Sequence, residues 1–74
     1  MHPDHKMKYD SYSQRWNVYS EDNIYCRSIH CGSLIDICLQ GYFLEARVEM
    51  DTDWYVIIER SKFYLNPSHS YDVA

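Results

Sequence analysis

The chain has 74 residues, 46% of them hydrophobic and 24% charged, which is room for one small domain with a limited core and too apolar for wholesale disorder. Its formal charge of −4, from seven basic and eleven acidic residues, is the wrong balance for phosphate-driven nucleic-acid binding. The longest wholly apolar run, Trp54–Ile58, is far short of a membrane span, and three cysteines cannot close a disulfide framework among themselves.

Residues 1–6, MHPDHK, read as a polar leader without periodicity. A single β domain is expected over residues 7–66, and residues 67–74, after the break at Pro67, as a flexible tail. The stretch from Met7 to Tyr19 has the pattern of a hairpin: Asp10, Ser11, Ser13 and Gln14 supply turn chemistry, and Arg15 to Tyr19 the returning strand. Trp16 and Val18 share one face by the period of two. A second turn falls at Ser20 to Asn23, and a third strand at Ile24 to Ile29. Its inward face is open between Ile24 with Cys26 and Tyr25 with Ile29.

From Leu34 onward the pattern fixes a register. With Gln40-Gly41 as a two-residue loop and Gly41 at positive φ, Leu39 pairs Tyr42, Ile37 pairs Leu44 and Ile35 pairs Ala46. With Asp51 to Asp53 as a second loop, Asp53 taking the left-handed conformation, Met50 pairs Trp54 and Val48 pairs Val56. One face then collects the large apolar side chains, and a slip of one residue would scatter them. The opposite face carries Asp36, Glu45, Arg47, Glu49 and Glu59, but also Leu34, Cys38, Phe43, Tyr55 and Ile57. An outer face this apolar is either covered by another part of the chain, the N-terminal hairpin or Lys62 to Pro67, or reserved for a partner. The expected fold is all-β: a small, strongly curved antiparallel sheet of five or six strands, closed as an SH3-like barrel, because closure protects the edges. An open sheet packed by a short C-terminal helix or 3₁₀ turn around Glu59 to Leu65 is the alternative.

Cys26, His30, Cys31 and Cys38 are the obvious candidates for chemistry. In an extended stretch His30 and Cys31 leave on opposite faces, while Cys26 and His30 share a face some ~13 Å apart. Neither pair suits a nucleophile with its base or joint zinc ligation, and the cysteine spacings match no tight zinc knuckle. Packing and turn roles are expected for them, and no metal or other cofactor. Glu49, Asp51 and Asp53 lack the spacing of an EF-hand loop. No phosphate loop, nucleophile elbow or H-E-x-x-H motif occurs, so no catalytic residue and no enzyme activity is expected.

His30-Cys31-Gly32, then Arg47-Val48-Glu49, then Trp54-Tyr55, with Arg15-Trp16 upstream, resemble the pattern of a family of small uncharacterised bacterial proteins. The likeness spans Arg15 to Ile58, with Phe43 standing where the family pattern has a tryptophan. That family is a domain of unknown function often found on plasmids and prophages, so the resemblance implies a genomic setting and no site residues. The composition and that setting together lead to the expectation of a non-enzymatic, cytoplasmic protein-binding module. In one concrete form it inhibits a host defence nuclease in the manner of anti-CRISPR proteins. The expected docking residues are Leu34, Phe43, Glu45, Arg47, Glu49, Tyr55 and Ile57, with a homodimer through the same face as a further possibility and direct nucleic-acid or membrane contact not expected. The competing expectation is a small-ligand or metal binder built on His30 and the cysteines.

Overall fold

The computed structural model describes residues 5–74. Eight strands form one antiparallel sheet: β1 (His5–Asp10), β2 (Arg15–Ser20), β3 (Tyr25–Ser28), β4 (Leu34–Leu39), β5 (Tyr42–Met50), β6 (Trp54–Ile58), β7 (Ser61–Tyr64) and β8 (Tyr71–Val73). Their order across the sheet is β3-β2-β1-β8-β4-β5-β6-β7. Residues 1–4 of the expected leader lie outside the described residues, while His5 and Lys6 belong to β1. Among the described residues no helix is long and apolar enough to cross a membrane.

The meander from β4 to β6 has the register that alternation predicts. Leu39 faces Tyr42, Ile37 faces Leu44 and Ile35 faces Ala46; Met50 faces Trp54 and Val48 faces Val56. Gly41 sits at φ 85°, but Gln40 is also left-handed at φ 53°, as the two-residue hairpin turn with both central residues at positive φ requires. Asp53 is not left-handed; instead the Asp51 carboxylate accepts the Asp53 N–H at 3.0 Å and pins the loop. The first hairpin also forms where expected, with Asp10 opposite Arg15. The Asp10 carboxylate accepts from Tyr12 N–H at 3.1 Å and Ser13 Oγ at 2.8 Å. Those bonds, the Ser13 hydroxyl first and the Tyr12 amide next, hold its pKa below the ordinary carboxylate value.

Three expectations are overturned. The sheet has eight strands rather than five or six. It is not a closed barrel: β3 and β7 are its two edges and do not pair. The segment after Pro67 is not a tail, for Tyr71–Val73 enters the middle of the sheet between β1 and β4. The third strand resolves neither proposed inward pair, because β3 is an edge strand exposed along most of its length and only Ile29 beyond it is buried.

Curvature comes from the connections rather than from a closed ladder. Ile29 N–H bonds Trp16 O in β2 at 2.7 Å, and Gly32 N–H bonds Val48 O in β5, also at 2.7 Å. In a flat sheet β3 and β4 would stand four strand spacings, ~19 Å, apart. The link between them, shortened by the turn that Ser33 N–H closes on His30 O, cannot span that distance, so the two halves fold toward each other. Gly32, at φ 87°, makes the turn that a side chain would strain. The core fills the concave side. Met7, Trp16 and Val18 come from the first half, Ile35, Ile37, Ala46, Val48, Trp54, Val56 and Ile58 from the second, with Val73 between them.

Candidate functional site

Because the N-terminal strands continue the sheet and fold onto its concave side, nothing described lies over the convex face of β4 to β7. The segment Lys62 to Pro67 does not cover that face either: β7 extends the sheet alongside β6. The residues expected to dock a partner are therefore brought together on one open surface. Leu34 stands opposite Arg47, and Arg47 opposite Ile57; Glu49 stands opposite Tyr55, and Glu45 opposite Asp36. Leu34 is 61% exposed and Phe43 40%, Glu45 and Arg47 are exposed, and Glu49, Tyr55 and Ile57 are half-buried by their neighbours. The Arg47 guanidinium meets the Glu49 carboxylate at 3.0 Å, an exposed pair of small energetic weight.

The sequence reading missed the far end of this face. Lys62 lies opposite Ile57 and Tyr64 opposite Tyr55. The two tyrosine rings meet edge to face at 5.6 Å between centroids. The Lys62 ammonium lies 4.3 Å from the Tyr55 centroid and 5.1 Å from that of Tyr64, within cation–π range, and donates to Asp51 Oδ2 at 3.2 Å. Tyr64 OH donates to the same oxygen at 3.3 Å. The Asp53 N–H, and after it Lys62, lower the Asp51 pKa to about 2. The Lys62 pKa is raised, by the Tyr64 hydroxyl first and the Asp51 carboxylate next. The available signal was the alternation of Lys62 and Tyr64 with Phe63. It is hidden by the Glu59-Arg60 turn, where Glu59 takes φ 57° without a glycine to announce it.

Of the cysteines, Cys31 lies in a turn as expected, but Cys26 does not pack. Cys26 and Cys31 are exposed, and Cys38 is half-buried on the convex face opposite Phe43. His30 and Cys31 are not in extended chain either: the Ser33 N–H bonds His30 O at 3.0 Å, closing a turn. Arg15 Nη1 lies 2.9 Å from His30 Nδ1, and since guanidinium has no acceptor, Nδ1 accepts. Among the described residues no three His, Cys, Asp or Glu side chains converge as metal ligands.

A cleft of about 820 Å³ opens between the first hairpin turn and the Asp51–Asp53 loop, with Tyr9, Arg15, Cys31, Met50, Trp54 and Tyr64 among its walls. Trp54 Nε1 donates to Gln14 O at 3.2 Å there. Trp16 lies in the core against Tyr9 and Tyr71, and its buried Nε1 has no partner among the described residues.

An all-β domain of one curved sheet, with an uncovered convex face of apolar centre and charged rim, is the class these observations define. The chain belongs to the family described as a domain of unknown function, DUF5348, which matches residues 5–74. The match reaches well beyond the Arg15 to Ile58 stretch in which the resemblance lay. No curated protein and no solved structure matches the chain.

Proposed function

We propose that this chain is a non-enzymatic protein-binding module that docks a protein partner through the convex face of β4 to β6. The observation that carries the reading is the exposure of Leu34 and Phe43 on a sheet face that no described part of the chain covers. Apolar anchors inside a polar rim are how protein interfaces are built. Asp36 and Glu45, beside the mutually paired Arg47 and Glu49, give that rim a negative cast, which complements a basic surface. Enzymes that hold nucleic acid present such surfaces. In its most specific form the module is encoded on a mobile element, as the family resemblance implies, and covers the nucleic-acid channel of a host defence nuclease.

The test is Leu34→Ala combined with Phe43→Ala, both outside the core cluster and so expected to keep the fold with at most a small fall in melting temperature. A partner captured from the native host and then purified should bind the double variant about 10–100-fold more weakly than wild type. Equal binding by the two proteins refutes this face as the docking surface. Tyr55 is a poorer probe, because its ring braces Lys62 and Tyr64 and its loss would disturb the β6–β7 hairpin.

A second reading, a small-ligand site, has the cleft beside Cys31 and Arg15 behind it. Its metal form has no convergent ligand set among the described residues. Ligand-induced shifts of Trp54 and Cys31 resonances, lost in Arg15→Met, would favour the cleft over the convex face.

A further inference from the structure

The two edges of the sheet are unequal. β3 pairs β2 through a register shift between Val18 and Tyr19, and such bulges twist an edge away from further pairing. β7 pairs β6 without interruption from Ile58–Ser61 to Tyr55–Tyr64, and Leu65 N–H continues the ladder to Trp54 O at 3.0 Å. In a hairpin closed by the two residues Glu59 and Arg60, the closing pair Ile58–Ser61 is hydrogen-bonded. Alternation then turns the backbone groups of Ser61, Phe63 and Leu65 toward β6. Lys62 and Tyr64 consequently present their N–H and C=O to an edge that no strand covers among the described residues.

We propose that β7 pairs antiparallel with β7 of a second copy of this chain, about a two-fold axis at Phe63. Three registers bring the outward backbone groups of two copies together. Centring on Lys62 sets Tyr64 opposite Arg60, which lies in the turn outside β7. Centring on Tyr64 sets Lys62 opposite Asn66, which lies beyond β7 and gives its N–H to the Tyr71 hydroxyl at 2.9 Å. Centring on Phe63 keeps both bonded pairs inside the strand, Lys62 opposite Tyr64 of the second copy and the reverse. It also makes Phe63 its own closest cross-strand neighbour. Phe63 lies on the concave side opposite Val56 and is 48% exposed, an aromatic that such a contact would cover.

A lysine in an edge strand ordinarily discourages pairing. Here the ammonium lies over the Tyr55 and Tyr64 rings and against Asp51, so its charge is matched on the convex face instead of guarding the edge. A four-residue strand pair buries less than the ~1,600 Å² of a standard interface, and the dimer is accordingly concentration-dependent. It joins the convex faces of two copies into one surface, and it stands whether or not that surface binds a further partner.

Sedimentation of the full chain over a concentration series tests it, with Phe63→Glu, Phe63→Lys and their equimolar mixture run beside wild type. Wild type should self-associate. Each variant alone should be monomeric and still unfold cooperatively, with a melting temperature independent of protein concentration, since like charges then meet at the axis, and the mixture should recover the dimer through a glutamate–lysine pair. Leu34→Ala with Phe43→Ala should dimerise as wild type does. A wild type monomeric throughout, a charged variant that dimerises alone, or a mixture that stays monomeric overturns the proposal. So does loss of the dimer in the Leu34 and Phe43 variant, which places the contact on the β4–β5 face instead.

Discussion

Val73→Ala tests the least expected feature of the fold, the C-terminal strand at the centre of the sheet. Val73 is 1% exposed and is paired with His5 on one side and Ile37 on the other. Ala74 N–H adds a bond to Asp36 O at 2.8 Å, but the β8–β4 seam is otherwise narrow. Losing two methyl groups at ~0.8 kcal/mol each removes about 1.6 kcal/mol of transfer energy. The cavity left in a seam fixed from both sides raises the cost to about 2–3 kcal/mol. For a domain of this size that corresponds to a fall of about 10–20 °C in Tm. Thermal and urea unfolding followed by tryptophan fluorescence measures it, with Ser70→Ala, exposed on the same segment, as a control expected within about 0.5 kcal/mol of wild type. If Val73→Ala melts where Ser70→Ala melts, residues 71–73 do not form a central strand and the seam described above is wrong.

Gln40→Asn should stabilise the chain by a few tenths to about 1 kcal/mol, because asparagine tolerates the left-handed turn position better than glutamine; urea midpoints at constant m-value check it. Cys26→Ser and Cys31→Ser, both at exposed sites, should each shift stability by less than about 0.5 kcal/mol in the same assay. Asp51 should titrate near 2 by carboxyl-carbon NMR. Its pKa is depressed from 3.8, so its contribution to stability is present above that unfolded value and is lost as pH falls through about 2. Lys62→Met should raise the midpoint only part of the way, since the Asp53 N–H is the larger cause.

The β4–β5–β6 meander was legible because its information is local. Alternation from Ile35 to Ile58 and turn residues at Gln40-Gly41 and Asp51–Asp53 each fix a register between neighbours in sequence. β7 and β8 were not legible, for two different reasons. β7 returns through Glu59-Arg60, a turn whose backbone conformation the residues do not advertise. β8 is three residues long, too short for a period to show, and it pairs with strands far away in sequence. Lys6 meets Asp72 at 2.6 Å across nearly the whole chain, and no local pattern can encode that. The barrel expectation failed at the ends of the sheet: β3 and β7, the outermost strands, do not pair with each other, and the folding over of the two halves covers the core without closing the ladder.

The candidate site was half legible, and the missing half changes what the proposed docking face would present to a partner. Alternation set Leu34, Phe43, Glu45, Arg47, Glu49, Tyr55 and Ile57 on one face, but whether that face was covered depended on where the N-terminal strands went, which is tertiary. Cys31 takes the turn role expected of it, but the packing expected of Cys26 fails for the same reason, since an edge position exposes it whatever its own hydrophobicity. Adding β7 places Tyr64 and Lys62 beside Tyr55 and divides the face into two kinds of contact. Leu34 and Phe43 are exposed side chains that would lose rotamer freedom on docking a partner through the proposed face. Tyr55 and Tyr64 are already held by each other, by Lys62 and by Asp51, so docking against them costs little further ordering. Affinity should therefore respond to Leu34 and Phe43 chiefly through lost burial, and to Lys62 chiefly through lost preorganisation of a pair of rings that it need not let the partner touch.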